Sequence, residues 1–282
     1  MEEDAKRHMS INLETGLWRC FKTGNVGNFI KLYSILENIP YKNAYEKFLF
    51  EAFKNGNLEP KKKVPEVIEE DTSKFELVTC DSDNPRIQAC YNLLKNRSMH
   101  DMGPFYYCGP ENEKYKDRLI IPFFDRNNHM FFFQARDLGS SYAKYLNSKQ
   151  IKASHVLYPF DYSSHNPLYV CEGVFDCLAL KKAGLNATTS LSCYISKEQF
   201  EQLKFYSGPL VCAFDTDLAG QMGASKFITA AYRAKRSDLF RAFPGLSKDW
   251  NEYLITYGPE LTRTMAGNIF KLDKLTLAVS GL

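Results

Sequence analysis

The fold is decided by two short stretches, LYVCEG at residues 168–173 and LVCAFDTD at residues 210–217. Each begins as a continuous apolar run, which is typical of a strand buried on both faces of a sheet. Each ends in acidic residues. Residues 176–209, which separate them, alternate between helical and strand-like patterns around a turn at Gly184. This alternation predicts an α/β fold with a parallel sheet and helical crossovers.

The acidic residues follow the predicted strands directly. In an open parallel sheet the carboxyl ends of the strands share one edge, and ligands bind there. Glu172 follows the first strand, and Asp215 and Asp217 follow the second. Carboxylates packed together repel one another unless a cation lies between them, and oxygen ligands suit Mg²⁺ or Mn²⁺. The sequence therefore predicts a divalent metal site at Glu172, Asp215 and Asp217; the alternative is that both acidic stretches are ordinary loops.

The spacing of these residues resembles a known domain. Glu172-Gly173-x-x-Asp176, followed by Asp215-x-Asp217-x-Ala219-Gly220, is similar to the Toprim domain of primases, topoisomerases, some nucleases and recombination proteins. The resemblance implies catalytic roles for four residues, which are Glu172, Asp176, Asp215 and Asp217. It does not choose among the chemistries of those proteins.

Composition sets broader limits. The chain has 282 residues, of which 44% are hydrophobic and 24% charged, as in ordinary soluble domains. The net charge of +3 is too small to indicate a polyanionic partner by itself. The polar start does not resemble a signal peptide, and no apolar run has membrane-spanning length. We therefore expect a cytoplasmic protein without a membrane partner, in the host cytoplasm if it is phage-encoded.

The N-terminal residues predict a small separate unit. Residues 1–54 read as a hairpin followed by two helices, and the polar residues 55–74 read as a linker. The pattern from Ser10 to Phe21 resembles the second half of the zinc ribbon that precedes bacterial-type primases. Only Cys20, a remnant ligand position, and His8 remain as candidate ligands, whereas a structural zinc site needs four. We therefore expect no complete zinc site in this chain.

A basic α+β subdomain is predicted over residues 75–165. It contains a hairpin near residues 118–136, and then KYLNS at residues 144–148. Cations interleaved with aromatic side chains suit single-stranded DNA and nucleotides. Together with the Toprim motif, the series strongly resembles the catalytic core of DnaG-type primases of bacteria and phages. The resemblance implies a set of nucleotide- and template-binding residues: Arg118, Arg136, Lys144, Tyr145 and Asn147.

The remaining sequence completes the predicted architecture. The Toprim sheet, flanked by helices, is expected over residues 166–253, and a helical cap over residues 254–282. In the resembled family a further acidic pair binds metal after the last strand. Asp249 occupies its first position, Asn251 leaves the second aspartate doubtful, and Glu252 is a weak substitute. The sequence contains no Gly-x-x-x-x-Gly-Lys loop, so a helicase motor is not expected.

The resemblance implies a compact, phage-like DNA primase. Such an enzyme is a DNA-dependent RNA polymerase, a nucleotidyltransferase that makes short RNA primers for replication on single-stranded DNA. It would use ribonucleoside triphosphates with Mg²⁺ or Mn²⁺, and a replicative helicase would be its partner. One alternative is a Toprim metal-dependent nuclease, which would not require the KYLN element. Another is a catalytically weak nucleic-acid-binding module.

Overall fold

The computed structural model describes residues 9–11, 18–20, 26–41, 43–44, 47, 70–139 and 143–272. The chain divides into two compact units, residues 1–65 and residues 66–282. Most of the predicted linker at 55–74 lies outside the described residues. The further division of the second unit at residues 165/166 stays a prediction.

The N-terminal unit contains three short strands and a helix among its described residues. These are β1 (Met9–Ile11), β2 (Trp18–Cys20), β3 (Val26–Gly27) and α1 (Phe29–Leu36), with the strands antiparallel in the order β1-β2-β3. The Trp18 indole is buried and donates to the carbonyl of Asn28 at 2.9 Å, which ties β2 to the start of α1. Of the proposed ligand positions, Cys20 lies in β2 and His8 falls outside the described residues. The predicted second helix, residues 41–53, also lies mostly outside them.

The second unit begins with an antiparallel sheet. Its elements are β4 (Phe75–Leu77), α2 (Pro85–Asn96), β5 (Tyr106–Cys108), β6 (Arg118–Phe124), β7 (Met130–Asp137), β8 (Tyr145–Asn147) and a 3₁₀-helix (Ala153–His155). The strands form a meander in the order β4-β5-β6-β7-β8. The tight turn between β6 and β7 includes Asn128, whose φ of +62° suits asparagine. This is the hairpin expected from the sequence.

A second sheet follows and is mostly parallel. Its elements are β9 (Leu168–Cys171), α3 (Val174–Lys182), β10 (Asn186–Thr189), α4 (Lys197–Leu203), β11 (Leu210–Cys212), α5 (Leu218–Arg233), β12 (Leu239–Arg241), α6 (Trp250–Gly267) and β13 (Phe270–Lys271). The strand order is β10-β9-β11-β12-β13, and all pairs are parallel except β12 with β13. The predicted α/β fold with helical crossovers is confirmed.

The C-terminal part differs from the expected helical cap. Helix α6 starts at Trp250, because Asp249 caps its N-terminus and the buried Trp250 indole donates to the carbonyl of Ala213 at 3.1 Å. The helix is interrupted at Gly258, whose φ is +79°, and Pro259 follows. After α6 the chain adds β13 to the sheet edge instead of more helix.

The two sheets of the second unit share one core. On the hairpin β6–β7, Leu119, Ile121 and Phe132 belong to a buried cluster that also contains Tyr169 and Phe175 of the parallel-sheet region. Side chains of opposite parity, such as Ile120 and Phe133, belong to a separate cluster on the other face of the antiparallel sheet. One face of that sheet therefore packs towards the carboxylate-bearing region.

Within the part of the chain that the structure describes, none of the helices is long and apolar enough to cross a lipid bilayer.

Candidate active site

The ends of β9 and β11 place two carboxylates next to each other. Glu172 follows β9, and its Oε1 accepts a hydrogen bond from the backbone N–H of Asp215 at 3.0 Å. Helix α5 approaches this point closely because Gly220 carries no side chain. A Cβ at Gly220 would lie 2.5 Å from Glu172 Oε1 and 2.4 Å from the Asp215 carbonyl oxygen. The glycine is thus a spatial requirement of the site.

A cavity of about 280 Å³ lies beside these carboxylates. Its acidic lining residues are Glu172, Asp176, Asp215 and Asp249. Asp217 is not among the lining residues; it is exposed and caps α5, with Oδ1 accepting from the N–H of Gly220 at 3.0 Å. The structure therefore brings four predicted acids into one cavity and leaves the fifth next to it.

Asp176 is the most buried of these acids, at 7% exposed. Its Oδ1 accepts from the backbone N–H of Asn251 at 3.1 Å, so it meets the first turn of α6. A Cβ at position 173 would lie 2.7 Å from Asp176 Oδ2, and Gly173 avoids this conflict. Burial is the main reason that the pKa of Asp176 is raised well above its ordinary value, and the charge of Asp249 adds to it.

The pKa values of Asp215 and Glu172 are raised as well. Burial raises the pKa of Asp215 to about 7, and the charges of Glu172, Asp249 and Asp217 contribute. Burial and the charge of Asp217 also raise the pKa of Glu172, although the Asp215 N–H, Arg241 and Lys248 oppose that rise. Negative charges here are held at an electrostatic cost, which a bound cation would relieve.

Cations face the acids across the cavity. Arg97, Arg136, Lys144 and Lys248 all line it. Arg136 Nη1 donates to the Tyr145 hydroxyl at 2.5 Å, which fixes the guanidinium. The pKa of Lys144 is lowered by burial and then by the charges of Arg136, Arg97 and Lys248. Arg136 and Lys144 from the antiparallel-sheet region, together with Arg97 and Lys248 from outside it, thus form a positive wall to a cavity whose floor is negative.

Two predicted binding residues lie elsewhere. Arg118 has the opposite parity to Arg136 on the paired strands, is 5% exposed, and donates to the carbonyls of Ala135 and Ala143 at 3.3 and 2.9 Å. It lines a different cavity from the acids. Asn147 lies further along β8, where its Oδ1 accepts from Gln134 Nε2 at 3.0 Å. Arg136, Lys144 and Tyr145 are therefore the predicted binding residues that meet the acids.

Several lining residues were not predicted as site residues, and three of them carry a charge or an amide. Arg97 follows the C-terminus of α2, Lys248 precedes Asp249, and Asn251 lies in the first turn of α6. Arg97 and Asn251 are separated by more than half the chain, so periodicity and local spacing carry no signal that joins them. Lys248 could have been proposed from the sequence, because it directly precedes Asp249, a predicted metal ligand.

A metal fits this site on the chemistry of its donors. Among the described residues, no group of three or more His, Cys, Asp or Glu side chains already has metal-binding geometry. However, Asp215 Oδ1 is buried without a hydrogen-bond partner in the described structure. A buried carboxylate oxygen that lacks a donor, beside Glu172, suits a hard divalent cation.

Comparison with known proteins identifies a matching family, related sequences and similar folds. Residues 169–254 match a family described as Toprim-like. The DNA primase of Clostridium acetobutylicum is 31% identical over 143 residues, covering 48% of this chain and 22% of that protein. A structure of the DnaG catalytic core has a TM-score of 0.57 and 18% identity, over 70% of this chain and 77% of that one. The RNA polymerase domain of Mycobacterium tuberculosis DnaG, in complex with a double-stranded DNA oligomer with a 6-nucleotide overhang, has a TM-score of 0.50 and 21% identity, over 67% and 64%.

These similarities confirm the resemblance predicted from the motifs. The second unit contains a Toprim-like region and has the fold of the DnaG catalytic core. The match spans about a fifth of the length of the C. acetobutylicum primase.

Proposed function

We propose that this chain is a DNA primase core, which joins ribonucleotides on a single-stranded DNA template. The proposal starts from the Toprim-like region and the DnaG catalytic-core fold. The observation that carries it is the cavity in which Glu172, Asp176 and Asp215 face the cations Arg136 and Lys144. An acidic floor can hold a divalent cation, and a basic wall can hold the phosphates of a nucleotide.

The basic wall supplies the binding of phosphate. Arg136 is oriented by its bond to Tyr145, and the Phe175 ring lies 4.7 Å from the Arg97 guanidinium and 5.3 Å from that of Arg136. An aromatic ring attracts nearby guanidinium groups through cation–π interactions without neutralising their charges. Lys144 is exposed and adds an ammonium group. These cations hold and orient the triphosphate of the incoming nucleotide.

Glu172, Asp215 and Asp217 would hold Mg²⁺ or Mn²⁺ at the acidic floor, whose lining also includes Asp176 and Asp249. When bound, the ion neutralises charge on the reacting phosphates and on the pyrophosphate that leaves. The protein contributes position and a fixed field: Gly220 and the Asp215 N–H hold Glu172 in place. We find no covalent role for a side chain in this arrangement.

The partners follow from the relatives. The DNA oligomer bound to the M. tuberculosis domain supports a DNA template here. Ribonucleoside triphosphates and a replicative helicase are inferred from the resemblance to DnaG-type primases. Asn147 retains a proposed template role outside the cavity, whereas Arg118, bonded to the carbonyls of Ala135 and Ala143, is assigned a structural role.

The test is a synthesis assay. The protein is incubated with single-stranded DNA, labelled ribonucleotides and Mg²⁺ or Mn²⁺. New short oligomers support the proposal, a cut template indicates a nuclease, and retention of DNA without either indicates a binding module. Because the zinc ribbon is expected to be incomplete, the assay includes a supplied dinucleotide, whose extension we expect to exceed unprimed synthesis.

Asp215→Asn is the matched variant for this assay. It keeps the shape of the side chain and removes one charge, so the protein should fold normally while synthesis falls at least about 100-fold. Undiminished synthesis by a folded Asp215→Asn protein would contradict the proposed metal site.

A further inference from the structure

The five acidic residues fall into two groups. Glu172 and Asp215 are joined by a hydrogen bond, and the charge of Asp217 acts on both. Asp176 and Asp249 form the second group, because both accept backbone hydrogen bonds from the first turn of α6, Asp176 from the N–H of Asn251 at 3.1 Å and Asp249 from the N–H of Glu252 at 2.8 Å. The charges of the two groups also act on each other. The two groups differ in which cations accompany them.

Arg97 accompanies the second group. It interacts electrostatically with both Asp176 and Asp249. Its Nη1 donates to Asn251 Oδ1 at 2.8 Å, and Asn251 Nδ2 donates back to the Arg97 carbonyl at 3.0 Å. The guanidinium also lies 4.7 Å from the ring of Phe175. Arg97 is therefore fixed from two sides.

Asn251 is suited to this task. It is only 2% exposed, and its backbone N–H donates to Asp176 Oδ1 at 3.1 Å. An amide side chain can accept from a guanidinium and donate to a carbonyl at the same time, whereas a carboxylate can only accept. One residue thus holds both Asp176 and the cation Arg97 beside it.

We propose that Arg97, locked by Asn251, is the resident cation of the Asp176–Asp249 pair, so that the site takes one divalent cation per chain, at Glu172, Asp215 and Asp217. This inference rests on the proposed metal-dependent function. The guanidinium is charged at every working pH and does not dissociate from the protein. A second divalent ion at Asp176 and Asp249 would meet a fixed positive charge and would have to displace it.

The neighbouring cation Lys248 provides a contrast. Its charge opposes the raised pKa of both Glu172 and Asp215, so it acts on the first group. Lys248 is exposed, and its backbone N–H, rather than its ammonium, is the donor bonded to Glu252. Removing Lys248 should therefore strengthen the first ion without creating a second site.

The test counts Mn²⁺ ions without nucleotide. Full-length protein is titrated with MnCl₂ while free Mn²⁺ is measured by electron paramagnetic resonance, for wild type, Arg97→Met and Lys248→Met. We expect one tightly bound ion in wild type and in Lys248→Met. In Arg97→Met a second ion should appear, with affinity at least about tenfold above the weak residual binding of wild type.

Asn251→Ala is the second variant. It keeps the charge of Arg97 and removes its lock, so the second ion should bind more weakly than in Arg97→Met but better than in wild type. If thermal melting shows that Arg97→Met does not fold, Asn251→Ala tests the proposal in its place.

The outcomes separate this inference from the function. Two tight ions in wild type, or one ion in every folded variant, would overturn the single-ion inference and leave the metal-dependent function standing. No tight Mn²⁺ in wild type would overturn both.

Discussion

The two sheets of the second unit bring residues to the same cavity by different rules. In the parallel sheet every strand ends at one edge, so acids that follow β9 and β11 meet whatever their exact register. In the antiparallel sheet the edge is shared by strand starts and strand ends, and the face depends on parity along each strand. Position along the chain is enough for the first sheet, and the second requires the register as well.

Arg118 and Arg136 illustrate the second rule. They lie near the same edge, because Arg118 pairs with Asp137 and Leu119 with Arg136. The offset of one residue places them on opposite faces. Arg136 points towards the acids, whereas Arg118 lies against the carbonyls of Ala135 and Ala143. A single-residue difference in register therefore separates a candidate phosphate ligand from a structural cation.

Among the variants that test this difference between the two arginines, Arg136→Met should have the largest effect. Arg136→Met should lower synthesis about 10- to 100-fold, because a charged contact with phosphate contributes about 1.5–3 kcal/mol. Arg118→Met should leave activity per folded molecule within about twofold and lower the free energy of unfolding by about 2 kcal/mol, since buried carbonyls lose their donor. Steady-state kinetics and urea unfolding measure the two effects.

The two variants control for each other, since each removes one guanidinium from the same edge. Equal losses of activity at equal stability would mean that parity does not divide the sheet functionally. A template role for Arg118, as its motif suggests, would then be favoured.

The same rules explain how much of the site was predictable. The sequence predicted that Glu172, Asp215 and Asp217 converge, because apolar runs identify parallel strands whose ends share one edge; Glu172 and Asp215 line the cavity and Asp217 lies next to it. Asp176 was predicted through the resemblance to the Toprim domain. Arg136 and Lys144 were found through motif resemblance, and their face could not be derived without the register. Arg97 could not be found, because its partner Asn251 lies on α6, and only the tertiary hydrogen bonds between these two residues join them.

The start of the last helix could not be predicted for a related reason. The sequence suggested a helical cap from residue 254, but Asp249 caps the helix and Trp250 anchors it through the Ala213 carbonyl. The match of Asp249 to a metal-binding position of the resembled family does not reveal this capping role, in which its Oδ1 accepts from the N–H of Glu252.

A smaller effect is the dependence of stability on pH, which tests the acidic side of the cavity. The pKa of Asp215 is raised from 3.8 to about 7, mainly by burial. Between those values the folded protein binds more protons than the unfolded chain, so the metal-free protein should lose stability as pH rises towards 7. Mn²⁺ binds the ionised form, so the rise in melting temperature that it causes should be larger at about pH 8 than at about pH 6.

Asp215→Asn is the control for this dependence. It should flatten the fall in melting temperature with pH and reduce the stabilisation by Mn²⁺. Glu172 and Asp176 also have a raised pKa, so some dependence should remain. A metal-free protein that gains stability between about pH 5 and pH 7 would contradict the assignment.

The smallest expected effect concerns Arg241. This cation belongs to the parallel sheet, which also carries the acids. It ends β12, is 8% exposed, and its Nε and Nη2 have no hydrogen-bond partner within the described residues. Its guanidinium lies 4.5 Å from the Phe243 ring, and its charge favours the ionised form of Glu172. Burying unpaired donors costs free energy, which these two attractions partly offset.

Arg241→Met should therefore change the free energy of unfolding of the metal-free protein by less than about 1 kcal/mol, because an apolar side chain of similar length removes both the cost and the attractions. It should also tighten Mn²⁺ binding a few-fold, since a fixed positive charge near Glu172 is lost.

Arg236→Met is the matched control. The Arg236 guanidinium is bonded to Asp238 and to the carbonyls of Lys204, Tyr206 and Gly208. Its loss should lower the free energy of unfolding by about 3 kcal/mol without affecting Mn²⁺ binding. Urea unfolding and Mn²⁺ titration of both variants measure the difference. If Arg241→Met proves as destabilising as Arg236→Met, or if it weakens Mn²⁺ binding, then Arg241 supports the carboxylates structurally, and the acidic side of the cavity depends on a cation of its own sheet.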